Sequence, residues 1–204
     1  MTNPSPAELL LSVYRAAGGY GQDVSDIPRQ QRQPAEAIAV LAEWLADLEA
    51  RWPGSEADRD TTRLLLIQAL NRRESRKSAA IPALISQFDS WKTISENARW
   101  SAGNALYDIP ADDAYFDELA AIASNGSLGM SRQMVVNWLG KSRRPEAASI
   151  AAAQLGDESV CGHALEALAK LRAQGIHEQV EPFAKSKNKW HRRTAERILR
   201  NLQD

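Results

Sequence analysis

The sequence predicts an all-α protein, and three observations lead to this prediction. The 204 residues include 33 alanines and 21 leucines against 7 valines, 11 isoleucines and 5 threonines, an excess of helix formers over β-branched residues. Apolar residues recur at helical spacing along most of the chain, and short polar, glycine or proline breaks separate these segments. Hydrophobic residues make up 44% and charged residues 25%, which is typical of a globular protein and excludes a disordered chain.

The N-terminal segment, residues 1–33, predicts one helix followed by a long loop. The helix should begin at Pro6, since proline suits the first turn, and it should end before Gly18. The polar residues 18–33 form the longest candidate loop. We expect the rest of the chain, residues 34–204, to form one continuous helical domain.

That domain should open with a long amphipathic helix that begins after Pro34 and ends at Pro53. Its apolar residues share one face of the helix: Ile38, Leu41, Leu45, Leu48 and Trp52.

From about residue 58 onward, a helical pattern repeats. Five segments align on a shared leucine, at intervals of 36, 33, 29 and 31 residues. These segments are Thr62–Leu70, Ala98–Leu106, Ser131–Leu139, Val160–Leu168 and His191–Leu199. Intervals of this length fit one helix-turn-helix unit per repeat, with the aligned segment as its second helix. We expect side chains at Ser95, Asp157 and Asn188 to cap three of these second helices.

The repeats resemble the HEAT-repeat family of α-solenoids over about residues 58–202. The resemblance depends on second helices that carry an arginine, a small residue and then an apolar pair. This pattern stands at Arg99, Ala102, Ala105 and Leu106, and again at Arg192, Ala195, Ile198 and Leu199. A proline inside the first helix, at Pro82 and Pro182, adds to the resemblance. The family's inter-repeat Asp–Arg ladder is half present, because no aspartate holds a constant position ahead of the arginines.

The resemblance implies a right-handed α-solenoid of stacked antiparallel helix pairs, with a less regular N-terminal segment. In this family the second helices line a concave surface that mostly binds proteins and sometimes binds nucleic acid. One bacterial branch, the HEAT-like alkylpurine DNA glycosylases, excises damaged bases with aromatic, acidic and arginine residues in that concavity.

The outward face of the second helices is the predicted binding strip. If the shared leucine points inward, the residues two and six positions before it lie together on the other side of the helix. The strip contains amides, charges and one aromatic residue: Trp100, Asn104, Gln133, Asn137, Glu166, Arg193 and Arg197. A solvated helix face is the alternative interpretation of each of these positions.

Charge is segregated along the chain. Residues 34–60 carry seven acidic and two basic residues, a net charge of -5, whereas residues 181–204 carry seven basic and three acidic residues, a net charge of +4. The basic end contains a candidate surface for an anionic partner, the basic patch: Lys185, Lys187, Lys189, Trp190 and Arg192. Solvated cations and a buried indole ring are the alternative interpretation.

An arginine recurs seven residues before the shared leucine in four of the five segments. This arginine column contains Arg63, Arg99, Arg132 and Arg192, with Cys161 in the remaining position. Its regular spacing favours packing between repeats, with the guanidinium groups on neighbouring carboxylates or carbonyl oxygens, over a phosphate-binding role.

Motifs for catalysis and metal binding are weak. His163, His177 and His191 stand 14 residues apart, and the chain has no HExxH motif, phosphate-binding loop or GxSxG elbow. We therefore expect no metal site, no cofactor and no enzymatic activity. Cys161 is the single cysteine, and we expect it to be packed in a helix.

The N-terminal residues lack the basic region of a signal peptide, and no run approaches the roughly 18 apolar residues that span a membrane. We expect a cytoplasmic protein without a membrane segment. The expected function is a non-catalytic protein-protein interaction module, such as an adaptor, an inhibitor or an immunity-type protein, that binds its partner through the concave face. The alternative is a nucleic-acid-binding HEAT-like protein, with glycosylase-like activity as the main enzymatic form. The formal net charge of -1 weighs against this alternative.

Overall fold

The computed structural model describes residues 3–109 and 111–202, and it confirms the all-α class. Helices make up 71% of the described residues, which contain no β-strand. The α-helices, in chain order, are α1 (Pro6–Ala16), α2 (Ala35–Ala46), α3 (Leu48–Arg51), α4 (Glu56–Leu70), α5 (Ala80–Ile85), α6 (Glu96–Asp108), α7 (Phe116–Ser124), α8 (Gln133–Trp138), α9 (Glu146–Ala153), α10 (Cys161–Leu171), α11 (His177–Ala184) and α12 (Lys189–Asn201). Short 3-10 helices connect or extend several of them: Val24–Arg29, Arg73–Ser75, Ser86–Phe88, Asp113–Tyr115, Gly126–Arg132 and Leu139–Lys141.

The chain divides into two compact units, Met1–Ala111 and Asp112–Asp204. The expectation that residues 34–204 form one continuous domain stays a prediction.

The first unit begins with α1, whose start is confirmed by its capping interactions. The Ser5 hydroxyl accepts a hydrogen bond from the Glu8 amide, and the Glu8 carboxylate accepts one from the Ser5 amide. The predicted loop after α1 is wrong in part, because residues 24–29 form a 3-10 helix that packs on α4. Ile27 in this turn is buried, so the segment contributes to the core instead of remaining solvated.

The predicted long helix after Pro34 is broken at Asp47 into α2 and α3. Asp47 has φ -105° and ψ 21°, outside the helical range, although Leu45 and Leu48 on either side remain buried as predicted. The break accompanies a tertiary contact that local spacing does not encode, in which Glu49 of α3 lies against Arg63 of α4.

Helices pack in pairs within each unit. In the first unit α2 packs against α4 and α5 against α6, while α2 also contacts α5 and α4 contacts α6. In the second unit the pairs are α7 with α8, α9 with α10 and α11 with α12; α10 also contacts both α8 and α12, and α7 contacts α9.

The shared leucines are the buried anchors of the second helices. Leu70, Leu106, Leu139 and Leu168 are fully buried, and Leu199 on the last helix is half-buried. The residues four positions earlier are buried in all five helices: Leu66, Ala102, Val135, Ala164 and Ala195. The inward direction predicted for this pattern is therefore confirmed.

Two of the three predicted caps are confirmed. The side chain of Ser95 accepts a hydrogen bond from the amide of Ala98, and that of Asn188 accepts from the amide of Trp190. Asp157 is not the cap of α10, because that helix begins one turn later, after Val160. The Asp157 carboxylate instead accepts hydrogen bonds from Ser159 in the preceding turn.

Candidate binding surface

Glu166 organises the outward side of α10 and α12 in the second unit. One of its carboxylate oxygens accepts hydrogen bonds from Trp190 Nε1 at 3.1 Å and from Thr194 Oγ1 at 2.8 Å. The other oxygen accepts from Arg197 Nη2 at 2.9 Å. Burial opposes ionisation of this carboxyl, but the three donors outweigh it, so the pKa of Glu166 is lowered. Glu166 is therefore an ionised acceptor that fixes three side chains from α12.

Trp190 is held on this surface by its packing as well as by its hydrogen bond. Its ring lies over Gly162, where the Cβ of any other residue would overlap the indole. The ring also makes an edge contact with the imidazole of His163, with the ring centroids 5.2 Å apart. Trp190 is 40% exposed. The sequence left open whether this ring is buried or exposed, and in the structure it is partly exposed.

Near the indole lie the rings of His163 and His191, and Cys161 contacts His191. Burial lowers the pKa of His163, which keeps its imidazole neutral at pH 7. Cys161 Sγ lies 4.0 Å from the ring nitrogens of His191, and burial raises the pKa of the thiol. A buried, protonated thiol packs as a small apolar group, as predicted for Cys161.

The remaining members of the binding strip differ in exposure. In the second unit, Asn137 is buried and its Oδ1 accepts a hydrogen bond from Lys170 Nζ at 2.6 Å. Gln133 is half-buried and donates to the backbone oxygen of Ser159 at 2.8 Å. These two amides therefore join α8 to α10 and to the turn before it.

Arg193 and Arg197 of the strip are exposed on α12, and only Arg197 is paired with a carboxylate, that of Glu166, among the described side chains. In the first unit, Trp100 lies on α6 and is 42% exposed, with Asn104 half-buried one turn later. The structure thus joins Glu166 to Arg197 directly and brings Trp190, from the basic patch, into the same group.

The basic patch contains cations of two kinds. Arg192 is half-buried and donates to the backbone oxygen of Ser186 at 2.6 Å, which is a packing role. Lys185 is exposed and lies 3.6 Å from Glu181. Lys187 and Lys189 are exposed and form no ion pair within residues 3–109 and 111–202.

The arginine column has the predicted packing role. Arg63 and Arg132 are almost completely buried, and each forms an ion pair, with Glu49 and Asp157 respectively. Arg99 is half-buried and donates to the backbone oxygen of Lys92 at 3.0 Å. The burial and ion pairs of Arg63 and Arg132 exclude a phosphate from these two groups, and Arg99 contributes to packing through carbonyl oxygens.

Sequence reasoning missed the roles of Gly162 and Thr194. Gly162 occupies a position where the other repeats carry Leu64, Trp100, Gln133 and Arg193. A glycine at a position where the other repeats carry larger residues indicates space that another side chain fills. The sequence therefore contained a signal for the contact of Gly162 with another side chain.

None of the helices in the described ranges combines the length and the apolar character needed to cross a bilayer. Within those same ranges, no three His, Cys, Asp or Glu side chains cluster closely enough to hold a metal ion. Comparisons of the chain with models of protein families, with curated proteins and with solved structures find no significant match.

Proposed function

We propose that the protein is a non-catalytic binding module that holds another protein on the outward faces of its second helices, as HEAT-like α-solenoids do. The order of helix contacts supports this proposal. In each unit, second helices pack against second helices, as α8 and α12 do on α10, and first helices pack against first helices, as α7 does on α9. Stacked helix pairs of this kind present a continuous row of second helices to a partner.

The observation that carries the proposal is the fixed Trp190–Glu166–Arg197 group on α10 and α12. Tryptophan and arginine are the residues most enriched at the energetic centres of protein interfaces. Both side chains are already held in place here, by hydrogen bonds to one carboxylate and by the contact of the indole with Gly162. Binding would therefore order few side chains, and less of the interaction energy would be lost to entropy.

The experiment measures affinity for a partner identified by capture on the tagged protein. Once the partner is purified, its Kd is compared for the wild type and Trp190→Ala by isothermal titration calorimetry. We expect Trp190→Ala to raise the Kd by about 30-fold, as truncation of a central hot-spot residue does. The matched control is Trp91→Ala, which removes a 68% exposed tryptophan of the first unit that lies outside the strip. Unchanged affinity of Trp190→Ala, or an equal loss in both variants, would contradict the proposal.

Nucleic-acid binding is the second candidate function, and the unpaired cations of α12 and the preceding turn favour it. Lys187, Lys189 and Arg193 are exposed without an ion pair in the described chain, close in sequence to a partly exposed indole. If this candidate holds, a labelled single strand or duplex will bind with an affinity that falls steeply with salt. Lys187→Gln and Lys189→Gln should each then lower the salt slope by about one. Excision of an alkylated base would extend this candidate to glycosylase-like activity.

We also propose that the protein acts in the cytoplasm. Its single cysteine, Cys161, is a free buried thiol, as is usual for proteins of a reducing compartment. Cell fractionation with an antibody against the protein tests this, and recovery outside the cytoplasmic fraction would contradict it.

A further inference from the structure

An open concavity of about 410 Å³ lies in the first unit. It is formed by the residues that follow the end of α4 and by the end of α6. Six residues line this arginine concavity: Asn71, Arg72, Arg73, Arg76, Asp108 and Ile109. Three arginines and one aspartate therefore line one open space.

Arg72 forms a fixed wall of the concavity. Its Nη1 donates to the backbone oxygen of Gln30 at 3.0 Å and its Nη2 to that of Pro28 at 3.4 Å, while Nε donates to the oxygen of Ala69. These bonds use three of the five N–H donors of a guanidinium group and leave two. All three acceptors are carbonyl oxygens, so these bonds hold the group in place without cancelling its positive charge.

Arg73 and Arg76 supply two further charges that the fold does not use. Both side chains are exposed, and neither forms an ion pair or a side-chain hydrogen bond with any residue that the structure describes. A role in capping the carbonyl ends of α4 or α6 does not explain them, because only Arg72 makes such a contact. The lining carboxylate, Asp108, already accepts a hydrogen bond from Asn71 Nδ2 at 3.0 Å.

The charge and donor count select the ligand. A phosphate monoester carries nearly two negative charges and three acceptor oxygens, and guanidinium groups pair with it through two parallel hydrogen bonds. A single carboxylate carries one negative charge and would leave two of the three guanidinium charges unbalanced. The volume lies at the low end of the roughly 300–1,000 Å³ range of ligand sites, which suits a phosphate with a small substituent.

We propose that the arginine concavity binds a phosphate monoester, with Arg72 as the preorganised donor and Arg73 and Arg76 as the arginines that supply its remaining contacts. This proposal does not rest on the proposed protein-binding function. The same chemistry is offered by a free small phosphate ester and by a phosphorylated side chain of another protein.

Titration of the full-length protein with inorganic phosphate, at constant ionic strength and with chloride as the reference salt, tests this proposal. Binding is followed by calorimetry and by the arginine Nε–Hε resonances in ¹H–¹⁵N spectra. We expect saturable binding that shifts the resonances of Arg72, Arg73 and Arg76. Arg73→Gln/Arg76→Gln should weaken it by at least about tenfold, since charge-assisted bidentate bonds are lost.

The matched control is Lys187→Gln/Lys189→Gln, which removes the same charge from exposed positions of the second unit that do not line the concavity. It should change the Kd less than about twofold, because these cations do not line the concavity and exposed charges are screened by salt. An absence of saturable binding, or equal weakening in both double variants, overturns the proposal. A short phosphoserine peptide distinguishes the sources: tighter binding than inorganic phosphate indicates a phosphorylated protein, and equal or weaker binding indicates a small phosphate ester.

Discussion

Arg63 in the first unit and Arg132 in the second occupy the same position of the repeat, and the side chain of each is 1% exposed. Their surroundings differ. Arg63 shares Glu49 with a second buried cation, Lys92, whose Nζ lies 4.0 Å from the same carboxylate. Arg132 has Asp157 to itself, and it also donates to the backbone oxygen of Ala123 and to Gln154.

This difference shows that two arginines at equivalent positions of the sequence pattern can be buried against different acids. Glu49 stands 14 residues before its arginine, whereas Asp157 stands 25 residues after its arginine. In place of an Asp–Arg ladder with constant spacing, each unit therefore pairs its buried arginine with a different acid. Both arginines also donate to neutral acceptors, including Gln87 for Arg63 and Gln154 for Arg132. The two units therefore differ in the number of buried cations that share one carboxylate, two in the first unit and one in the second.

The largest effect should come from Glu49→Gln, which tests the dependence of the first unit on one carboxylate. The change leaves Arg63 and Lys92 buried together, with Asp60, 3.9 Å from Arg63, as the nearest remaining acid of the network. We expect a loss of about 3 kcal/mol in the free energy of unfolding, since removal of one partner strands buried charge. Urea unfolding followed by circular dichroism measures it.

The control for that experiment is Glu43→Gln, which removes a carboxylate from an ion pair with Arg51 in which Glu43 is 61% exposed. Exposed pairs contribute little, so the loss should stay below about 1 kcal/mol. If the two variants lose the same stability, the buried network does not distinguish the first unit.

Gly140→Ala in the second unit should have an intermediate effect. This variant tests the space between closely packed backbones and changes no charge. A Cβ at this position would lie 2.9 Å from the Cα of Ala167 on α10, too close for either backbone. We expect a loss of about 2 kcal/mol from overpacking, measured by the same urea unfolding. Gly156→Ala is the matched control: its Cβ would meet nothing within 4 Å, so a comparable loss there would show that the contact with α10 is not the cause.

The smallest effect should come from Asp157→Asn, and it should depend on pH. Hydrogen bonds from Ser159, and then the ion pair with Arg132, lower the pKa of Asp157. A lowered pKa means that the stabilisation is complete above the ordinary aspartate value of about 3.9 and is lost as the pH falls through the lowered value. We expect Asp157→Asn to cost about 1.5 kcal/mol at pH 7, because only one buried cation loses its carboxylate and Arg132 keeps its hydrogen bonds to Ala123 and Gln154.

Unfolding of the wild type and of Asp157→Asn at a series of pH values between 7 and 2.5 checks this sign. The difference between the two proteins should shrink toward acid pH. A difference that stays constant, or a cost as large as that of Glu49→Gln, would remove the contrast drawn between Arg63 and Arg132.

The spacing of apolar residues along the sequence predicted the second helices and the side chains that they bury. The leucine register gave the second helices and their buried anchors, because apolar side chains three and four residues apart share one helix face. The break at Asp47 and the turn at Val24–Arg29 were missed, since the first depends on the contact of Glu49 with Arg63 and the second on packing against α4.

The candidate site was predicted only in part for the same reason. Periodicity placed Glu166 and Arg197 on the outward faces of their helices, and the structure joins them. It did not reveal that Asn137 would be buried under Lys170, or that Trp190 would rest on Gly162. Those outcomes depend on how closely neighbouring helices approach, which no single helix encodes.

The position of the Trp190 ring, which lies against Gly162 and donates to Glu166, has a spectroscopic consequence. The wavelength of indole fluorescence depends on the surroundings of the ring. Here the ring is partly shielded from water and its nitrogen donates to a carboxylate, so the loss of either contact changes the emission. Trp190→Phe would give the spectrum of the remaining tryptophans, and its subtraction from the wild type would isolate the light from this single ring. The molecule therefore contains an intrinsic reporter of its own surface, which needs no dye and no chemical labelling.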